Sequence, residues 1–111
     1  MDKAKHFEIK NQKGEMAREG EFIFCPACKE THLFDSHVWS FNGDYEKPTF
    51  SPSMLWKGFV YDKDEDGKWL VTGKKITCHS FVVDGNIRYL NDCTHELKGQ
   101  TVSLDECPDN P

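Results

Sequence analysis

Cys25 and Cys28 are separated by Pro26 and Ala27, a spacing that lets two thiolates grip one ion if the chain turns tightly between them. Pro26 presets φ for such a turn, and the small Ala27 leaves room for amide groups to point at the sulfurs. A redox-active pair with this spacing belongs at a helix start beside a βαβ pattern. The sequence shows neither, so zinc is the expected cofactor. A closed tetrahedral site needs two more ligands, normally Cys or His. The candidates are His32, His37, Cys78, His79, Cys93, His95 and Cys107. His32 follows so soon after Cys28 that it is expected to line the site without binding, and Cys107 sits in the tail as the weakest candidate. Adjacent strand residues point to opposite faces, so Cys78 and His79 are not expected to share an ion. The expected set is Cys25, Cys28, Cys78 and His95, with Cys93 and His79 as alternates and Asp92 as the hydrogen-bonding support of a ligating His.

Catalytic signals are weak, and no catalytic residue is assigned. His79, Asp92 and His95 beside a metal with an open position could activate water, which makes a small zinc hydrolase the first alternative function. Ser80 next to His79 does not make a triad, because adjacent strand residues diverge. No G-x-S-x-G, H-E-x-x-H, deaminase or P-loop pattern is present. The segment Pro48-Thr49-Phe50-Ser51-Pro52-Ser53 offers three hydroxyls that could form a recognition loop. The simpler expectation is that its prolines fix an extended crossing over the core, with the hydroxyls capping turns.

The elements that must position these residues read as strands. Short aromatic and β-branched runs separated by Gly, Pro, Asn and Asp place strands at 6–10, 21–24, 38–41, 54–61, 68–72, 76–83, 87–90 and 101–104. Only 12–19 has helix-like composition, weakened by Gly14. The expected fold is mainly β, a small antiparallel roll, sandwich or barrel closed by a structural zinc site. Asp84-Gly85-Asn86 marks a tight hairpin. With Gly85-Asn86 central, Cys78 faces Cys93; with Asp84-Gly85 central, it faces Asn91. Asp62 to Gly67 opens like a calcium loop, but the twelfth position is Gly73 where a bidentate Glu is needed, so a plain acidic hairpin tip is expected. Trp69 on that hairpin is the aromatic expected to be exposed.

The chain has 111 residues, enough for one domain (1–111) with less order expected at 1–19 and 105–111. Fourteen basic against 19 acidic side chains give a net charge of −5, which argues against nucleic-acid binding. The polar N-terminal stretch lacks the apolar core of a signal peptide, and no apolar run spans a bilayer, so a cytoplasmic location without membrane contact is expected. Five cysteines without a secretory signal fit reduced, metal-binding thiols better than disulfides.

Cys25-Pro26-Ala27-Cys28, Trp39-Ser40-Phe41-Asn42-Gly43-Asp44, Pro48-Thr49-Phe50-Ser51-Pro52-Ser53, Cys78-His79-Ser80-Phe81, Asp84-Gly85 and Asp92-Cys93-Thr94-His95-Glu96-Leu97 with Gly99-Gln100-Thr101-Val102 resemble a family of small proteins of unknown function from phages, prophages and bacteria. The resemblance covers residues 20 to 104. It tolerates Ser where Cys93 stands, which favours His95 as fourth ligand. The ammonia monooxygenase label that some members carry has no support in a chain without a membrane segment or a copper or di-iron ligand set. The expected function is therefore a zinc-stabilised, phage-associated accessory module that binds a host or viral protein. A zinc-ribbon-like nucleic-acid binder is the second alternative.

Overall fold

The computed structural model is all-β, with eight strands in two antiparallel sheets. Backbone elements are described along the chain, and side chains for residues 1–59, 64–68 and 75–111. Trp69 falls outside the described side chains. The first sheet is β1 (Ala4–Lys10), β2 (Met16–Cys25) and β3 (Glu30–Asp35), in chain order. The second is β4 (Ser40–Phe41), β5 (Phe50–Lys63), β6 (Trp69–Val83), β7 (Asn86–Tyr89) and β8 (Thr101–Ser103), again in chain order. Among the described residues the two sheets do not close into a barrel.

Residues 12–19, expected as helix, instead build the β1–β2 hairpin. The Asn11 side-chain oxygen accepts the amides of Lys13 and Glu15 at 2.9 and 3.0 Å, and Gly14 supplies a φ of 79°. An Asx turn thus wins over weak helix propensity. The sequence pattern also missed β3, whose alternation is carried by the buried His32 and Phe34. A histidine in a core position hides the period-two signal.

The sheets meet through aromatic rings. Phe34 of β3 stacks on Phe50 of β5 with centroids 4.1 Å apart, and His32 lies 4.9 Å from Trp56. Around them one core gathers Ile23, Met54, Val82, Ile87 and Tyr89. The C-terminal tail is tied down: Cys107 is buried against Phe7 and Phe22, and its amide donates to the Asp2 carbonyl at 2.8 Å. That places Cys107 in a cluster apart from the other four cysteines.

Two turns matter for the sites. Asp84 and Gly85 both have positive φ, 49° and 80°, so they are the central pair of a primed turn. That register pairs Ser80 with Tyr89 and Val82 with Ile87. At the acidic tip, Asp64 accepts the amides of Asp66 and Lys68, which is ordinary turn chemistry.

Candidate active site and candidate metal centre

Cys78 and His79 point to opposite faces of β6. Cys78 is fully buried and opposite Trp56, whereas the His79 ring is partly exposed and opposite Leu55. Each face assembles a different group of side chains.

On the inner face, Cys25, Cys28, His32 and Cys78 are all buried, and one ligand atom from each lies within 4.8 Å of the others. These four lie close enough to bind one metal ion. The turn after β2 brings Cys28 back under Cys25: the Lys29 amide donates to the Cys25 carbonyl at 2.9 Å, Lys29 takes a φ of 57°, and the Cys28 amide points at Cys25 Sγ at 3.4 Å. Hydrogen bonds from Cys28 and Cys78 hold the Cys25 thiol far below its ordinary value. The hydrogen bond to Cys25 in turn pushes Cys28 up to about 12, and Cys78 is also raised by its bond to Cys25. One thiolate, on Cys25, is thus held by two protonated thiols in a buried pocket.

His32 was expected to line the site, yet it stands inside the cluster. Both of its ring nitrogens are buried without a hydrogen-bond partner, and a buried orphaned imidazole is costly unless something coordinates it. His95 and Cys93 occupy a second group with Cys78. His95 Nδ1 accepts the Leu97 amide at 3.2 Å, which leaves the proton on Nε2. In that tautomer Nε2 is a donor rather than a lone pair, and it too is buried without a hydrogen-bond partner. Cys93 Sγ lies 3.2 Å from both the amide and the carbonyl of His79, so its sulfur is engaged with β6. Tyr89 completes the surroundings, its hydroxyl 3.1 Å from Cys25 Sγ and its ring edge-on to His95. His37, the remaining candidate, belongs to none of these groups.

On the outer face, His79 Nε2 lies 3.0 Å from Ser53 Oγ and His79 Nδ1 lies 3.0 Å from Asp92 Oδ2. A hydroxyl, an imidazole and a carboxylate therefore stand in line. The carboxylate can only accept, so Nδ1 carries the proton and Nε2 is free to accept from the serine. Ser53 reaches His79 because the β5–β6 ladder slips between Phe50 and Met54. The bulge re-aims residues 51–53, as bulges next to functional sites often do. The Ser51–Pro52 peptide is cis, and Trp39 Nε1 donates to the Ser53 carbonyl at 3.4 Å. Asp92 follows the hairpin, where the Leu90 amide donates to the His79 carbonyl at 2.8 Å.

A family model described as a bacterial ubiquitination-like system serine protease (BubE) matches residues 2–90. The chain belongs to this family. No curated protein and no solved structure matches it. Membership in a bacterial protease family overturns the expected phage-associated accessory module, together with its zinc-hydrolase and nucleic-acid alternatives. The earlier expectation leaned on cysteine spacing and net charge, which report on how a small fold is held together and leave its exposed chemistry unread.

Of the residues singled out from sequence, Cys25, Cys28 and Cys78 converge. His79 and Asp92 also converge, but on the opposite face and with Ser53. Ser80 is buried on the inner face and its hydroxyl has no partner, in keeping with the expectation that it is not part of a triad. The signal for Ser53 was present only as one of three hydroxyls in the 48–53 segment. Choosing it required the register slip in β5. No helix among the described residues is long and apolar enough to cross a membrane.

Proposed function

We propose that this chain is a serine hydrolase that cleaves amide bonds in a bacterial ubiquitination-like system, with Ser53 as nucleophile, His79 as general base and Asp92 as its orienting carboxylate. The observation that carries the reading is the Ser53–His79–Asp92 line, with 3.0 Å at each link. Such a triad is identified by geometry and roles rather than by order in the chain. The family description supplies the reaction class.

In the proposed reaction Ser53 Oγ attacks the scissile carbonyl while His79 Nε2 takes its proton. Asp92 holds the ring and stabilises the imidazolium that forms. The imidazolium then protonates the leaving amine as the C–N bond breaks, leaving an acyl ester on Ser53. Water, deprotonated by the same Nε2, hydrolyses the ester and restores the serine. The His79 ring is partly exposed and Asp92, in the loop after β7, is more than half exposed, so a polypeptide can reach this face.

The inner cluster takes a different part. We assign Cys25, Cys28, His32 and Cys78 to one zinc ion, since three thiolates and one imidazole form a closed tetrahedral set with no position left for water. Its role is to join the β2–β3 turn to β6. The Tyr89 hydroxyl, 3.1 Å from Cys25 Sγ, helps to fix that sulfur.

Burst kinetics with a p-nitrophenyl ester test the reading. A triad enzyme releases about one equivalent of nitrophenol per chain before the slower steady state. Rates that depend on added metal, with no burst, would count against it.

A further inference from the structure

The hydrogen-bond pattern of β6 fixes which backbone groups of β5 face out of the sheet. The Leu90 amide donates to the His79 carbonyl and the Thr94 amide to the Thr77 carbonyl. Odd-numbered residues at this end of β6 therefore turn their backbone toward β7 and the loop after it. By alternation, Cys78 and Ser80 turn theirs toward Trp56 and Met54 of β5. Leu55 and Lys57, opposite His79 and Thr77, are left with their N–H and C=O groups pointing away from β6.

That side of β5 is covered only at its start. β4 pairs with Phe50 and Ser51, and the Trp39 indole takes the carbonyl of Ser53. Beyond that point no strand flanks β5 among the described residues. The open edge thus begins two residues past the triad serine. Natural edges are usually blunted by charge, proline or a covering loop. Between Leu55 and Phe59 the only charged side chain is Lys57. Leu55 is 52% exposed and Phe59 45%, and both stand on the face that carries His79.

We propose that the β5 edge from Leu55 to Phe59 binds an extended segment of the substrate polypeptide as an added strand, delivering its scissile carbonyl to Ser53. The proposal rests on the triad reading and names its substrate as an unfolded or terminal segment rather than a folded surface. Backbone pairing to Leu55 and Lys57 supplies affinity without sequence preference. Selection comes from cross-strand neighbours: apolar side chains opposite Leu55 and Phe59, with an acidic one opposite Lys57. The Trp39 indole, capping the Ser53 carbonyl, marks where the added strand must stop.

The test has two arms. In the first, Ser53→Ala protein is saturated with an unstructured synthetic peptide of the pattern apolar-x-acidic-x-apolar, and amide hydrogen exchange is followed residue by residue. The amides of Leu55 and Lys57 are expected to slow at least tenfold. Those of Met54, Trp56 and Gly58, already turned toward β6, should stay unchanged. Protection spread elsewhere, or none, overturns the proposal. In the second arm, Lys57→Pro removes one outward N–H at an edge position that tolerates proline. It should lower kcat/KM for the peptide tenfold or more and leave p-nitrophenyl ester hydrolysis unaltered. Equal effects on both substrates, or on neither, also overturn it. Failure of the triad reading shows separately, as wild-type protein that hydrolyses no ester, while the exchange arm still reports on the edge.

Discussion

Cys78 and His79 are consecutive in β6, and the pleat sends them into opposite environments. Below the sheet, Cys78 meets Cys25, Cys28 and His32 in a pocket that excludes water. Above it, His79 meets Ser53 and Asp92 at a surface where Asp92 is more than half exposed. The inner group gathers three sulfurs and an imidazole close enough to bind one ion, so it suits holding. The outer group has one hydroxyl proton and a free imidazole lone pair, so it suits proton transfer. Two chemistries need not compete when a single pleat keeps them apart. They remain coupled mechanically, because one strand carries both Cys78 and His79, and Cys93 bridges to the His79 backbone.

The sharpest way to break this division is at Cys78. A structural zinc ion supplies about 10–16 kcal/mol, roughly 3–4 kcal/mol per ligand. Cys78→Ser should therefore remove between about a quarter and most of a net stability of about 5–15 kcal/mol. Thermal melts should show the transition lost or sharply lowered, with metal content and ester hydrolysis falling together. Ser53→Ala is the opposite case. Turnover should drop by about 10⁴-fold or more, while melting temperature and zinc stoichiometry stay at wild-type values.

Asp92→Asn should have a smaller effect, about 10²-fold in kcat, because an exposed carboxylate orients the imidazole less firmly than a buried one. Melts should barely change. The smallest and most discriminating pair is His32→Ala against His95→Gln. Loss of His32 should weaken zinc binding far more than loss of His95, which lies outside the set of four and should lower affinity by at most about 10- to 100-fold. Competition with a chromophoric chelator measures both, and the reverse ranking would restore His95 as the ligand.

Much of the fold was legible before the structure. Strand-rich patterning, the Asp84-Gly85-Asn86 hairpin tip and the Cys25–Cys28 knuckle all follow from local rules of turn chemistry and alternation, while the choice of Asp84-Gly85 as the central pair came from the structure. Two regions resisted. Residues 12–19 carry helix-forming side chains, but Asn11 and Gly14 close a hairpin there. β3 places His32 where a hydrophobic residue would advertise a core position. The inner cluster was partly legible, since Cys25, Cys28 and Cys78 were named as ligands and His32 was set aside for being close in sequence to Cys28. The outer site was split. His79 and Asp92 were singled out through the hairpin that joins them. Ser53 depends on a register slip between Phe50 and Met54 and on a partner 26 positions along the chain, and no local pattern announces a bulge of that kind.

The most direct test of the division between the two faces is covalent labelling of the intact protein with a fluorophosphonate, followed by peptide mapping. The expected result is one adduct, on Ser53, that disappears in His79→Ala protein while both proteins retain one zinc ion per chain. An adduct on Ser51 or another serine, no adduct at all, or labelling of Ser53 that survives loss of His79 would contradict it.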